Sequence, residues 1–342
     1  MHAPTPAKSP QARAAHELVQ NLQRRLVDNL ATPGDSGRFE AVSWLRDEGR
    51  HGGGMRFAYS GGNVFNRASV NVSQVHYDDL AEKPLGSANA ISSIVHPMHP
   101  AAPSIHIHIS WTGMKDDTGY WRIMADLNPS MPDPDDTKAF LNTVRDFSGK
   151  HFDLGIRFGE QYFAIPTLGR HRGVAHYYLE QFKTADERAD FEFARTFGEQ
   201  VIDTYGKILH AKLADAGRKS PTARELRMQL DYHTLYLFQV LTLDRGTTSG
   251  LIVHDQNDLG ILGSLPAVVD VDLLKSWIPR MTAPQDELLR ALVAVLPADG
   301  RVNDLEKLAL CQAVRQHYRK HPAALELQAR ADVVPPTVRN HL

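Results

Sequence analysis

Apolar and polar side chains alternate with a period of two in short segments of the first half of the chain. From Ser104 to Trp111, the apolar residues Ile105, Ile107 and Ile109 alternate with serine or histidine. Segment Ser69–Val75 alternates similarly, and Tyr120–Leu127 has the length and composition of a further strand. Successive side chains of a strand point to opposite faces. We therefore predict three strands, and we expect the strand at 104–111 to have one apolar and one polar face.

Two apolar runs nearer the C-terminus also have the length of strands. They are Tyr236–Leu243 and Leu259–Leu265, and the second contains Gly260 and Gly263. A short apolar run bounded by turn-forming residues is typical of a buried strand. We therefore predict a strand at each place, the second one interrupted by its glycines.

A four-residue spacing of leucines predicts a helix near the start of the chain. Leu18, Leu22, Leu26 and Leu30 lie about one helical turn apart and share one face. We place this helix at residues 11–30. Further helices are predicted at Asp136–Ser148, Thr184–Ala216 (with Gly217 as its stop), Pro221–Tyr232, Pro284–Leu296 and Asn303–Tyr318.

The order of these elements favours an α+β fold over a regular βαβ repeat, because strands are followed by long helices and then by more strands. We expect a mobile tail at residues 1–10 and one domain at residues 11–282. Residues 283–342 are expected to form an appended helical hairpin, joined through Pro297–Gly300.

The hairpin has its own pattern. Its second helix carries an apolar stripe that we expect to be buried, formed by Leu305, Leu308, Cys311 and Val314. The segment 333–342 contains Pro335 and Pro336 and is expected to fray.

Composition narrows the class of protein. The 342 residues include 38 Lys and Arg against 40 Asp and Glu, a net charge of −2, which argues against a nucleic-acid partner. One cysteine excludes a disulfide scaffold. Because no run of about 18 apolar residues occurs, we expect no membrane span. The first ten residues lack the apolar stretch of a secretory signal, so we expect a cytoplasmic protein.

Histidine is the one unusual component, with 17 residues. His106 and His108 fall on one face of a predicted strand, close enough for their rings to share a metal ion, with Asp126 of a neighbouring strand as a third ligand. The alternative is that these histidines only form hydrogen bonds with their neighbours. A divalent metal is thus one of two possibilities at this point.

Asp126 follows apolar residues at the end of a predicted strand. A carboxylate there is either desolvated, which would suit a base, or held by donors. The other interpretation is a turn leading into Asn128 and Pro129.

Two further segments carry charge beside glycine. Arg172 lies in the segment Gly169–Gly173, which could receive a carboxylate or phosphate, although a solvated turn has the same composition. Asp244 and Arg245 follow a predicted strand, where such a pair commonly caps a turn.

Taken in order, the motifs of the chain resemble those of the oxygen-dependent coproporphyrinogen III oxidase family. The resemblance extends without a break in order from about Ala41 to Trp277. The segments that carry it are Trp44–Gly49, Gly62–Phe65, Ala68–Ser73, His96–Pro100, Pro103–His106, Asp126–Pro129, Tyr162–Phe163, Arg172–Gly173, Asp244–Thr247, Gly250–Leu251 and Ile261–Pro266.

This resemblance implies a large, flat antiparallel sheet sandwiched between helices, in a homodimer. It implies an enzyme of porphyrin and haem biosynthesis that uses O2, and generally no organic cofactor, to convert two propionate side chains of coproporphyrinogen III to vinyl groups. Family position implies catalytic roles for two residues: Asp126 would hold or deprotonate the pyrrole N–H groups, and His106 would assist proton transfer near the propionate. The substrate-binding residues implied are Asn71, Ser73, Arg172 and Arg245.

The chain also departs from the family, which carries an arginine at the position of Ser110 and glycines where Ile123 and Met124 stand. A charge-assisted hydrogen bond contributes about 1.5–3 kcal/mol, so lost arginines weaken the binding of a tetracarboxylate. Two alternatives follow: the same fold acting on a smaller, less anionic substrate, or a non-catalytic protein that binds a tetrapyrrole or a partner. Arginines that could compensate are Arg56, Arg67, Arg122, Arg157 and Arg170.

Overall fold

The structure, a computed structural model, describes residues 4–32, 34–216 and 220–341. The helix stop predicted at Gly217 lies outside these residues. The strands are β1 (Arg38–Leu45), β2 (Gly52–Ser60), β3 (Phe65–His76), β4 (Leu85–Pro97), β5 (Ser104–Met114), β6 (Gly119–Asn128), β7 (Ala164–Ile165), β8 (Arg170–His171) and β9 (Ala175–Phe182).

The main sheet has seven strands in the order β1-β2-β3-β4-β5-β6-β9, and all its neighbouring strands are antiparallel. The helices are α1 (Pro10–Leu30), α2 (Pro134–Ser148), α3 (Phe152–Phe163), α4 (Glu187–Ala216), α5 (Ala223–Thr242), α6 (Arg245–Val253), α7 (Asp258–Ile261), α8 (Val271–Trp277), α9 (Gln285–Val295), α10 (Asp304–Lys320) and α11 (Thr337–His341). The predicted α+β class and the antiparallel sheet between helices are confirmed.

The first core lies between one face of the sheet and helices α1, α2 and α4. The predicted leucine stripe of α1 is buried against this face. Ile105, Ile107 and Ile109 of β5 point to the same side and are fully buried. The alternating pattern of β5 thereby places its serines and histidines on the opposite face of the sheet.

A second core lies on that opposite face, among α5, α8, α9 and α10. Leu288 and Leu292 of α9 and Cys311 and Val314 of α10 are buried with Leu237 of α5. The two predicted C-terminal helices are confirmed. Their core includes residues on both sides of position 282, so the hairpin is packed into the molecule.

The predicted stripe on α10 is only half right. Leu305 is 79% exposed and Leu308 is 41% exposed. Cys311 and Val314 are buried as predicted, and Leu310, which was not part of the predicted stripe, is buried with them.

The strand predicted at Tyr236–Leu243 is wrong, because α5 continues to Thr242. Residues 232–242 are all buried, since α5 lies between the sheet and the outer helices. A helix buried on every side has no polar face, so its sequence loses the helical period and resembles a buried strand. The strand predicted at Leu259–Leu265 is also wrong, since Asp258–Ile261 forms α7.

Individual side chains near both ends of the described chain are buried. Ala7 is 1% exposed, and its amide donates to Gln74 Oε1 at 3.0 Å. Within the segment expected to fray near the C-terminus, Thr337–His341 forms α11, in which Asn340 and His341 are buried. None of the described helices is long and apolar enough to cross a membrane.

Helix α3, which the sequence patterns did not predict, approaches strand β9 through glycine. A methyl group at Gly159 would lie 2.6 Å from the carbonyl carbon and oxygen of His176, so the backbones touch here. Gly159→Ala is expected to lower the free energy of unfolding by about 1–3 kcal/mol, because neither backbone can yield. Urea denaturation measures this loss.

Gly250→Ala provides the matched control. The added methyl would lie 3.6 Å from Ile261, an ordinary contact, within helix α6. We expect unchanged stability or a gain of up to about 1 kcal/mol, because alanine favours the helix. Equal losses in the two variants would contradict the close approach at Gly159.

Candidate active site

A cavity of about 240 Å³, here called the slot, lies between the polar face of the sheet and the helices that cover it. Residues of β3, β4, β5 and β6 line one side, and residues of α5, α6 and α11 line the other. The polar side chains that alternate with the isoleucines of β5 therefore face the slot.

Small side chains form the floor of the slot. Ala88, Ala90 and Ser92 of β4 all line it, and Ser110 of β5 is paired with Ala90. Ile94, a further lining residue, lies six positions from Ala88, so the slot extends about 20 Å along β4. A long floor of small side chains suits a large, flat ligand.

His106 and His108 of β5 both line the slot. Nη2 of Arg172 donates to Nδ1 of His106 at 3.2 Å, so Nε2 carries the proton of the neutral ring. Burial and the charge of Arg172 lower the pKa of His106 to about 4. Burial also holds the pKa of His108 well below its usual range. Near pH 7 both rings are neutral, and His106 can donate a hydrogen bond to a ligand in the slot.

Asp126 lies opposite His106 in the register of β5 and β6 and has no exposed surface. Its Oδ2 accepts from Arg172 Nη2 at 2.6 Å, and its Oδ1 accepts from His176 Nδ1 at 2.6 Å. Burial alone would raise the pKa of Asp126, but Arg172 and His176 outweigh it and lower this pKa to about 2. Asp126 is therefore an ionised, fully paired carboxylate that supports Arg172 behind His106.

Within the described ranges, no group of three or more His, Cys, Asp and Glu side chains could hold a metal ion. The pair predicted from sequence, His106 and His108, does share one face. The third ligand considered with it, Asp126, has each carboxylate oxygen hydrogen-bonded to Arg172 or His176.

Among the described residues, the charged groups that line the slot are one arginine and two carboxylates. Arg122 Nε lies 2.8 Å from Oε2 of Glu180, and the side chain of Glu180 is only 1% exposed. Burial raises the pKa of Glu180, and Arg122 offsets this only in part. Asp244 accepts from Tyr162 Oη at 3.2 Å and from the Thr247 amide at 2.6 Å. The charge of the one guanidinium is thus already matched.

The structure separates the predicted substrate-binding residues into two groups. Asn71 and Ser73 line the slot. Arg172 is fully buried and also donates to Gln239 Oε1 at 2.6 Å. Arg245 donates to the Leu325 carbonyl at 2.9 Å and does not line the slot.

Sequence patterns missed Glu180 because they did not predict β9. That strand is buried at most positions, so the alternation that revealed β5 is absent. The available signal was a single carboxylate in a run rich in apolar and aromatic residues. Of the five arginines considered as compensation, Arg122 is the one that lines the slot in the described part of the chain.

Comparison with known proteins gives a consistent result. A family model described as coproporphyrinogen III oxidase matches residues 14–294. The chain is 26% identical to the mitochondrial oxygen-dependent coproporphyrinogen-III oxidases of Rattus norvegicus and Mus musculus, over 80% of this chain and 66% of each relative. The Homo sapiens protein of that name is also 26% identical, over 80% of this chain and 64% of the relative.

Proposed function

The chain belongs to the coproporphyrinogen III oxidase family, as a divergent member, and we propose that it oxidatively decarboxylates porphyrinogen propionates to vinyl groups with O2. The reaction would belong to porphyrin and haem biosynthesis. Each propionate loses CO2 and a hydride equivalent, and O2 takes the hydride equivalent and a proton to give hydrogen peroxide. The observation that carries the proposal is a slot floored by small side chains, with a neutral His106 beside it.

Different residues of the slot would bind different groups of the substrate. The pyrrole N–H groups of a porphyrinogen are donors, and the carboxylates of Glu180 and Asp244 are acceptors within the slot. Arg122, which is hydrogen-bonded to Glu180 through Nε, would offer its two terminal nitrogens to a propionate. His106 would donate through Nε2, and Arg172 and Asp126 would act as positioning residues that hold its ring. The porphyrinogen supplies the electrons, and we propose that no organic cofactor is needed.

A second candidate is the same reaction class on a less anionic substrate. The slot presents one guanidinium against two carboxylates among its described residues. Because coproporphyrinogen carries four carboxylates, this balance favours a substrate with fewer of them. A non-catalytic tetrapyrrole-binding protein is the third reading, and turnover separates it from the other two.

The deciding experiment adds air to an anaerobic mixture of the protein and coproporphyrinogen III and records protoporphyrin fluorescence. We expect product with the native protein and a fall in kcat of at least about a hundredfold with His106→Ala, since a hydrogen-bond donor to the reacting group is lost. The control is His210→Ala, which should retain activity. The ring of His210 hydrogen-bonds the carbonyl of Asn29, away from the slot.

Folded protein that yields no product at high concentration would overturn the proposal. Equal rates for the native protein and His106→Ala would show that His106 takes no part in the reaction. The metal hypothesis is tested in the same assay, because a reaction through metal bound to His106 and His108 would be lost after dialysis against a chelator.

We also propose that the protein acts in the cytoplasm as a homodimer. The dimer is the family expectation. In the part of the chain that the structure describes, edge strand β1 is paired only with β2. Its residues are mostly exposed, Val42 among them, so it offers an edge to a second copy.

A further inference from the structure

Helix α11 fills one end of the slot. Thr337, Asn340 and His341 all line the slot, and Asn340 and His341 are 5% and 9% exposed. These residues follow the range 14–294 that the family model matches. This end of the slot is therefore closed by a segment outside the matched part of the chain.

A basic cluster lies directly behind α11. The guanidinium of Arg46 lies 5.5 Å from the ring centre of Tyr77, and the ammonium of Lys83 lies 5.7 Å from it. Lys83 Nζ donates to the carbonyl oxygen of His341 at 2.9 Å, and Tyr77 Oη hydrogen-bonds His341 Nδ1 at 3.0 Å. Arg46 also donates to the Val253 carbonyl at 3.0 Å. The carbonyl oxygen of His341 thus bonds the ammonium and its ring nitrogen bonds the phenol, so one residue of α11 occupies the two positions at which a carboxylate could bind.

The helix that fills this place is short. It has five residues, fewer than an isolated helix needs to persist in water, so its position depends on its contacts with the slot. The second core, formed by α5, α8, α9 and α10, does not include it. Its displacement therefore leaves the core intact, and local opening of this kind costs much less than unfolding.

We propose that α11 occupies a carboxylate-binding end of the slot, and that a carboxylate of the ligand displaces it to reach Arg46, Tyr77 and Lys83. The inference rests on the proposed function in that it takes the slot as the ligand site. It adds two cationic side chains, Lys83 and Arg46, to the one that lines the slot, and Arg46 Nε lies 3.8 Å from Asp47 Oδ2. It assigns a carboxylate to the end remote from His106. The ligand class is then a flat macrocycle with an acidic group at that end.

Binding of stable porphyrins tests the displacement without turnover. The probes are coproporphyrin III and its tetramethyl ester, which share one macrocycle and differ in charge. In a variant lacking residues 337–342, the Kd of coproporphyrin III is expected to fall about tenfold or more, because the closed state no longer competes. Adding Lys83→Ala to that variant should remove the gain, whereas adding Lys320→Ala, an exposed lysine on α10, should preserve it. An equal gain for the ester, or no gain for the acid, would overturn the proposal.

Hydrogen exchange of the intact chain tests the same step if the shortened variant fails to fold. Coproporphyrin III should accelerate amide exchange in residues 337–341, and the tetramethyl ester should not. Unchanged exchange with bound coproporphyrin III would overturn the proposal. A protein that oxidises coproporphyrinogen without displacing α11 refutes this inference alone, and one that displaces α11 without oxidising coproporphyrinogen refutes the proposed function alone.

Discussion

Replacing Asp126 with alanine is expected to lower the free energy of unfolding by about 3–5 kcal/mol, the largest effect of any substitution considered. The carboxylate is fully buried and pairs with Arg172, which is also fully buried. Removing it leaves an unpaired guanidinium with no access to water and leaves His176 without its acceptor. Urea denaturation of the native and variant proteins at pH 7 measures the loss.

Asp203→Ala is the matched control. Asp203 pairs with Arg25 at 2.6 Å, but their side chains are 26% and 40% exposed. Water can replace this pair, so we expect a loss of no more than about 1 kcal/mol. Similar losses for the two variants would mean that the Asp126 pair does not carry the buried charge that its geometry indicates.

Acid is expected to destabilise the protein from about pH 6.5 downward, before most carboxylates are protonated. Burial lowers the pKa of His233 from 6.5 to about 4. Burial and the charge of Arg172 lower the pKa of His106 to about the same value. The unfolded chain therefore binds protons that the folded chain does not, so stability is complete above pH 6.5 and is lost as pH falls toward 4. Each shift corresponds to about 3 kcal/mol.

The variant His233→Phe isolates one of these contributions. It keeps an aromatic ring beside His96, whose ring centre lies 5.3 Å from that of His233. We expect the stability of the variant, measured by urea denaturation from pH 7 to pH 4.5, to fall less steeply than that of the native protein. Parallel curves for the two proteins would contradict a neutral, buried His233.

The sequence predicted those parts of the fold whose helices and strands have one buried and one open face. The predictions of helix α1 and strand β5 are correct, because a stripe or an alternation of apolar residues marks the face that packs. Helix α5 was mistaken for a strand because burial on all sides removes that mark. Helix α3 was missed because Gly155 and Gly159 disfavour a helix locally, although they permit its contact with β9.

The candidate site was predicted in the same uneven way. Adjacent strands bring His106 and Asp126 together, as their positions in the sequence indicated. The direction of Arg172 was not predictable, because its segment between glycines has the composition of an exposed turn, whereas its side chain is fully buried against Asp126. Glu180 and α11 reach the slot only through contacts between distant parts of the chain.

The second core also determines which fragment of this protein can be autonomous. The boundary of the family match at residue 294 falls in the last turn of α9, and the next helix supplies Leu310, Cys311 and Val314 to the interior beneath α5. A polypeptide cut at that boundary would leave this interior open to solvent and prone to self-association. The range that the family model matches and the packed interior of this chain therefore end at different residues.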